Sequence, residues 1–239
     1  MDAGIAIALV AVALAAAGQA VTAIGFSLVA VPFVSIATGP AAAVPTINLV
    51  AGGLNLIMLI SEHEHARWRE VLRLFIPAAI VIPVVGYGVD KLPTDTLSII
   101  NGAFILAATA LLATGARAHS LKGRRGAVLA GAISGAGNVA TSVGGPPVAM
   151  YAINAEWPAK TYRPTLQAYF LGINIVSFAV RGVPRLHHPS LLLELAAATL
   201  AGWLVGRRYA RRVDDNVVRN MLLITAAVGG IVAIVRGIF

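Results

Sequence analysis

The chain has 239 residues, 58% of them hydrophobic and 12% charged, with 18 Lys and Arg against 10 Asp and Glu for a formal net charge of +8. A soluble domain carries about 25% charged residues, so this composition leaves almost no room for a soluble enzyme, a disordered chain or a collagen-like fold and points to a bilayer as the surrounding medium. Cysteine is absent, which removes disulfides and thiolate chemistry.

A helix needs about 20 apolar residues to cross roughly 30 Å of hydrocarbon. The first apolar run, 3–37, would make a rod of about 52 Å. That is too long for one crossing, and the run contains Gly18, Gly25 and Pro32. It is expected to fold back on itself, as two short helices or a re-entrant hairpin. Residues 1–20 look like a signal peptide in their apolar core and Ala-rich end. No basic segment leads them, however, and Asp2 has the wrong sign, so the segment is expected to stay. Runs 41–61, 71–89 and 96–115 each suit one crossing. A polar link follows over 116–125. Run 126–153 is again too long and holds Gly135, Gly137, Gly144, Gly145, Pro146 and Pro147; it too is expected to fold back. Runs 164–180, 190–206 and 217–235 again suit single crossings.

Basic residues test this scheme. If each long run returns to its starting side, 14 Lys and Arg fall on one side (loops 62–70, 116–125, 154–163 and 207–216, with Arg73 and Arg219). Only 4 fall on the other: Lys91, Arg181, Arg185 and Arg236. If each long run crosses once, the split is 10 to 8. Only the folded-back scheme gives a positive-inside asymmetry. It makes the chain a multi-pass protein of a bacterial-type inner (cell) membrane with both termini outside the cytoplasm.

Sliding the sequence by 119 positions aligns its halves without a gap. Gly18/Gly137, Thr22/Thr141, Gly25/Gly144, Pro45/Pro164, Thr46/Thr165, Gly53/Gly172, Asn55/Asn174, Asp95/Asp214 and Asn101/Asn220 match. The expected organisation is two repeats, 1–119 and 120–239, of about five membrane segments each. An odd number of crossings per half inverts the second against the first, the plan of many secondary transporters. The fold class is thus all-α and polytopic, with inverted repeats whose first segments form broken or re-entrant hairpins.

The stretch TAIGFSLVAVPFV (22–34) resembles the first-half signature of the sulfite exporter TauE/SafE family, which usually reads like GxGFxLxxxPLL. The stretch GAISGAGNVATSVGGPPVAMYAINAEWPAKTYRPTLQAYFLGIN (131–174) resembles its second-half signature, with GGPP followed by an Arg-x-Thr stretch. The resemblance covers most of the chain. One departure is Ala23-Ile24, where many members have another glycine. The resemblance implies a transporter of small, mostly sulfur-containing anions: sulfite, sulfoacetate and related organosulfonates.

The residues themselves lead to the same class. Gly144-Gly145-Pro146-Pro147 reads as a break followed by a helix start, since proline suits the first helical turn. A helix N-terminus offers free N–H groups and a partial positive charge to an anion. Gly25-Phe26-Ser27 holds the equivalent place in the first half, and inverted repeats would bring the two starts together near the midplane. The competing reading is that the glycines allow close helix packing. Asn48 and Asn55 share a helix face, as do Gln167 and Asn174 at the 119 offset. With Gln19, Thr22, Asn138, Thr141 and Ser142 they either line a substrate path or hydrogen-bond between helices. The expected substrate site comprises Thr22, Gly25, Ser27, Asn55, Thr141, Gly144, Gly145 and Asn174, with Arg163 attracting the anion or anchoring its helix.

Glu194 is the main charge inside a run and reads as an interfacial residue. Glu62-His63-Glu64-His65 reads as a solvated loop rather than a metal site. No metal or cofactor is expected. The expected partners are a small anion and the lipid bilayer, not nucleic acid; self-association as a homo-oligomer is open. An intramembrane enzyme would need His beside Ser, or clustered carboxylates, and the runs hold neither. A membrane scaffold leaves the duplicated polar and Gly-Pro elements unexplained.

Overall fold

The computed structural model describes residues 3–114, 123–184, 186, 188, 190–210, 212 and 214–239, with side chains for all of these but 159 and 215. Asp2, Arg117, His119, Lys122, Arg185, His187 and Arg211, together with most of the 116–125 link, lie outside the described residues. The described chain is helical: α1 Ala3–Thr22, α2 Phe26–Thr38, α3 Pro40–Ile60, a 3-10 turn His63–His65, α4 Trp68–Val89, α5 Thr94–Thr114, α6 Gly123–Thr141, α7 Gly145–Asn154, α8 Ala159–Arg181, α9 Ser190–Tyr209 and α10 Asp215–Ile238.

Both over-long runs are broken, at 23–25 and at 142–144. The first limbs are not short. α1 has 20 residues and α6 has 19, because each break falls about four residues past the middle of its run and α6 starts at Gly123, before its run does. The second limbs are short: α2 has 13 residues and α7 has 10, about 20 and 15 Å at the helical rise. A side chain on Gly4 would touch Ile36 and Ala37, so α2 runs back along α1.

Among the described residues six helices are long and apolar enough to cross a membrane: α1, α3, α4, α5, α9 and all but the first residue of α10. α8 has the length, with 23 residues, but it carries the buried polar residues Thr165, Gln167, Asn174 and Ser177. These face protein rather than lipid, so average hydropathy understates the helix. On the outside, Leu72, Ile76, Ile80 and Val84 form an exposed apolar stripe along α4, and Met221, Ile224, Val228, Ile231 and Val235 form another along α10. Stripes of this length are covered by lipid in a multi-pass membrane protein. Glu194 is exposed near the start of α9, and the residues of the 3-10 turn are outside the core.

Inside, α3 packs on α8, α5 on α10, α1 on α9 and α4 on α6. The last two contacts are matched under the 119 offset, which carries α1 onto α6 and α4 onto α9. Each uses a Gly-x-x-x-Gly step. Gly131 and Gly135 of α6 meet the α4 backbone at Leu74 and Ala78; Gly202 and Gly206 of α9 meet the α1 backbone at Ala13 and Ala17. Small residues let backbones approach this closely in a membrane. A Cβ at Gly202 would run into the Ala13 carbonyl, whereas a Cβ at Gly53 would meet nothing within 4 Å. Gly202→Ala is therefore expected to cost about 1–3 kcal/mol of stability by overpacking. Gly53→Ala, in the interior of α3, should be neutral or stabilising by up to about 1 kcal/mol. Thermal unfolding of the two variants in detergent checks the contrast.

Candidate functional site

A helix broken inside a membrane frees backbone groups that must find partners. At the first break, Ala23 has φ 66 and Gly25 has φ 105, left-handed values that end α1 and aim α2 back. Glycine takes such a value freely; an alanine there costs roughly 1–2 kcal/mol. At the second break Ser142, 119 residues on, has φ 59. Side chains meet several of the freed groups. The Thr22 hydroxyl lies 2.7 Å from the Ile24 carbonyl and 3.0 Å from that of Gly18. Arg163 Nη2 donates to the Val21 carbonyl (3.0 Å), and Gln167 Nε2 to the Ala23 carbonyl (3.0 Å). In the second half Thr141 donates to the Gly137 carbonyl and accepts from Val143 N–H, while Ser134 donates to the Gly144 carbonyl.

An amide network joins the breaks to α3 and α8, and one backbone group sets its polarity. Phe26 N–H, at the start of α2, donates to Gln19 Oε1 (3.2 Å). Gln19 must therefore present its Nε2, which donates to Asn55 Oδ1 (2.9 Å) and more weakly to Gln167 Oε1 (3.4 Å). The second half repeats the bond at the same sequence separation of 36: Asn138 Nδ2 donates to Asn174 Oδ1 (2.9 Å). Ser177 holds Asn138 Oδ1 (2.6 Å). With the oxygen ends of Asn55 and Asn174 occupied, their Nδ2 groups are left as donors, with no protein partner among the described residues. The match is not perfect. Gln167 reaches a backbone carbonyl, but Asn48, one methylene shorter at the equivalent place, meets only the Ser142 hydroxyl (2.7 Å). Its own Nδ2 is buried without a partner.

These groups line a cavity of about 40 Å³. Gly25, Ser27, Asn55, Gly144, Gly145 and Asn174 line it, so six of the nine expected residues come together. The starts of α2 and α7 both face it. The helix leaves its first N–H groups unpaired; Phe26 N–H is taken by Gln19, and those of Ser27 and Leu28 follow. α7 offers fewer, because Pro146 and Pro147 have none. The polar side chains of the lining are all neutral: Gln19, Ser27, Asn55, Asn138, Ser142 and Asn174.

Three expected residues lie elsewhere. Thr22 and Thr141 spend their hydroxyls on the broken backbone and do not line the cavity. Arg163 lines a separate hollow of about 890 Å³ with Ser61, Glu62, Arg207 and Arg208, on the other side of the last turn of α1. There it ties α8 to α1 through Val21. The two glycines of the second break also differ. A Cβ on Gly144 would stand 2.9 Å from Ser134 Oγ and 3.0 Å from its carbonyl, so this glycine serves packing against α6. A Cβ on Gly145 would make only ordinary contact, 3.8 Å from Phe170 Cζ, leaving the cavity as its direction. Gln19 and Asn138, which the sequence placed either along a substrate path or in interhelical hydrogen bonds but not in the expected site, also line the cavity. They occupy equivalent places but differ in type, so a search for identical pairs passes over them.

A family model for the sulfite exporter TauE/SafE matches residues 7–233, nearly the whole chain. No curated protein and no solved structure matches it.

Proposed function

The chain belongs to the sulfite exporter TauE/SafE family, and from that premise we propose that it carries a small sulfur-containing anion through the cavity at the starts of α2 and α7 by alternating access. The observation that supports this most is the orientation of Asn55 and Asn174. Gln19 and Asn138 hold their oxygens, so two amide donors converge on a space that two helix N-termini already make favourable to negative charge. Divided, neutral donors suit a carrier. Each hydrogen bond to a charged partner contributes about 1.5–3 kcal/mol, enough to bind and little enough to release.

The volume narrows the substrate. The cavity, at about 40 Å³, exceeds the roughly 10–15 Å³ that admits one water but is small. A compact oxyanion such as sulfite fits this conformation better than an elongated sulfoacetate or other organosulfonate. No carboxylate lines the cavity, which favours passage of a protonatable anion down its gradient over an Asp/Glu proton relay.

The recurring bonds support an inverted-repeat reading with halves 1–119 and 120–239. Gln19–Asn55 answers Asn138–Asn174, and left-handed Ala23 answers left-handed Ser142. In this reading α1–α2 and α6–α7 are the broken hairpins, their second limbs stop short of a full crossing, and both termini lie outside the cytoplasm. The chain's lack of cysteine makes topology testable. A cysteine at Arg208 or Arg124 should react with an impermeant thiol reagent only from the cytoplasmic side; reaction from outside reverses the topology.

Function is tested by flux of radiolabelled sulfite, sulfoacetate and sulfate into vesicles holding the purified protein, with and without a pH gradient. Protein-dependent sulfite flux exceeding that of sulfoacetate is expected. Flux no greater than in empty vesicles for all three anions contradicts the reading.

A further inference from the structure

The central cavity has a neighbour. A hollow of about 360 Å³ lies among α2, α5, α7, α8 and α10, and Ile24, Gly25, Leu28 and Leu112 line both spaces. Gly25 is thus a wall common to the two. The side chain filling the notch at that wall is Leu222 of α10. A Cβ on Gly18 would stand 2.6 Å from Leu222 Cδ2, and one on Gly25 3.4 Å from Leu222 Cδ1. Two bare glycines therefore form the socket that receives this isobutyl group. Gly18 had recurred in the sequence repeat without any place in the proposed anion site; here it has one.

Chemistry changes along α10 as it approaches the socket. Asn216 and Arg219 come first, on the hollow's wall with Tyr162, and Leu222 and Leu223 follow. The Arg219 guanidinium donates to the carbonyl of Leu112, one of the shared residues. A cationic, hydrogen-bonding mouth thus leads to an apolar constriction, an arrangement that draws in an anion and then bars it while the constriction is dry.

We infer that small anions reach the central cavity through this hollow, and that Leu222, seated on Gly18 and Gly25, is the side chain that closes the passage. The inference rests on the transport reading above and adds to it the route and the closing residue. Opening requires α10 to lift Leu222 from its socket. A side chain at Gly18 would unseat the leucine in place.

Labelling tests this without requiring transport. Ser27→Cys places a thiol in the cavity of the otherwise cysteine-free full chain, and Asn216→Cys places one at the mouth. Each is reacted in nanodiscs with an anionic methanethiosulfonate. Leu222→Ala is expected to speed labelling of the cavity thiol by about 10-fold or more, equivalent to about 1.4 kcal/mol, and to leave the mouth thiol unchanged. Gly18→Ala should act in the same direction. An unchanged cavity rate, or equal acceleration at both positions, overturns the inference. So does acceleration by delipidation but not by Leu222→Ala, which would mark the hollow as an acyl-chain site. If the cavity thiol responds as expected while the vesicles show no anion flux, the passage stands and the transport reading falls.

Discussion

Gly145→Val is expected to reduce anion flux to background in a protein that still inserts and folds. The case rests on where the added atoms go. A Cβ at Gly145 meets Phe170 at an ordinary 3.8 Å and nothing nearer, so the first added atom finds room without pressing on a neighbouring helix. The three valine carbons must instead occupy a cavity of about 40 Å³, which leaves no room for a compact anion. Gly144→Val serves as the contrast. Its Cβ would press on Ser134 Oγ and the Ser134 carbonyl at 2.9 and 3.0 Å. It should lower stability and yield as well as flux, by roughly the 1–3 kcal/mol of an overpacked core. Flux measured beside thermal unfolding separates the two.

The second large effect is expected at Asn174, where two substitutions discriminate. Asn174→Leu removes a donor and should weaken apparent affinity by about 1.5–3 kcal/mol, or roughly 10- to 150-fold. It also strands Asn138 Nδ2, whose partner is Asn174 Oδ1, and an unpaired buried donor costs about 1–3 kcal/mol of stability. Asn174→Asp keeps that acceptor, so Asn138 Nδ2 stays paired, although a carboxylate at this buried place carries its own cost of about 2.5–3.5 kcal/mol. It turns the cavity-facing end from a donor into a carboxylate oxygen, which repels an anion. A larger loss of affinity in Asn174→Asp than in Asn174→Leu is the signature of a site residue. Equal affinities in parent, Asn174→Leu and Asn174→Asp would move the site away from α8. Asn55→Leu should follow Asn174→Leu, since Asn55 makes the matching bond with Gln19.

Much of this was legible in the sequence because the bilayer limits what a chain can do. A run too long for one crossing must break, and Gly25 and Gly144 marked where. The single-crossing runs lie within a few residues of α3, α4, α5, α8, α9 and α10. Each over-long run was expected to fold back as two short helices or a re-entrant hairpin; α1 and α6 keep nearly full length, and the shortness falls on α2 and α7. The 119-residue offset picked out Asn55 and Asn174, and both line the cavity.

What the offset could not supply was direction. Asn55 looks like a donor or an acceptor until Phe26 N–H fixes Gln19, and Gln19 fixes Asn55. Thr22 and Thr141 read as donors to a ligand, but each lies one turn after a glycine whose carbonyl is within reach. Helical threonine commonly bonds back in this way. Arg163 was close in sequence to the site yet its side chain reaches to Val21, a contact 142 residues away that no local pattern encodes.

Whether neutral donors hold a small anion in this one cavity is decided by anomalous diffraction from crystals soaked in selenite, a heavier oxyanion of sulfite's shape. The account predicts an anomalous peak among Ser27, Asn55, Gly145 and Asn174, within hydrogen-bonding reach of both Nδ2 groups. A peak beside Arg163, Arg207 and Arg208 with none in the cavity would contradict it.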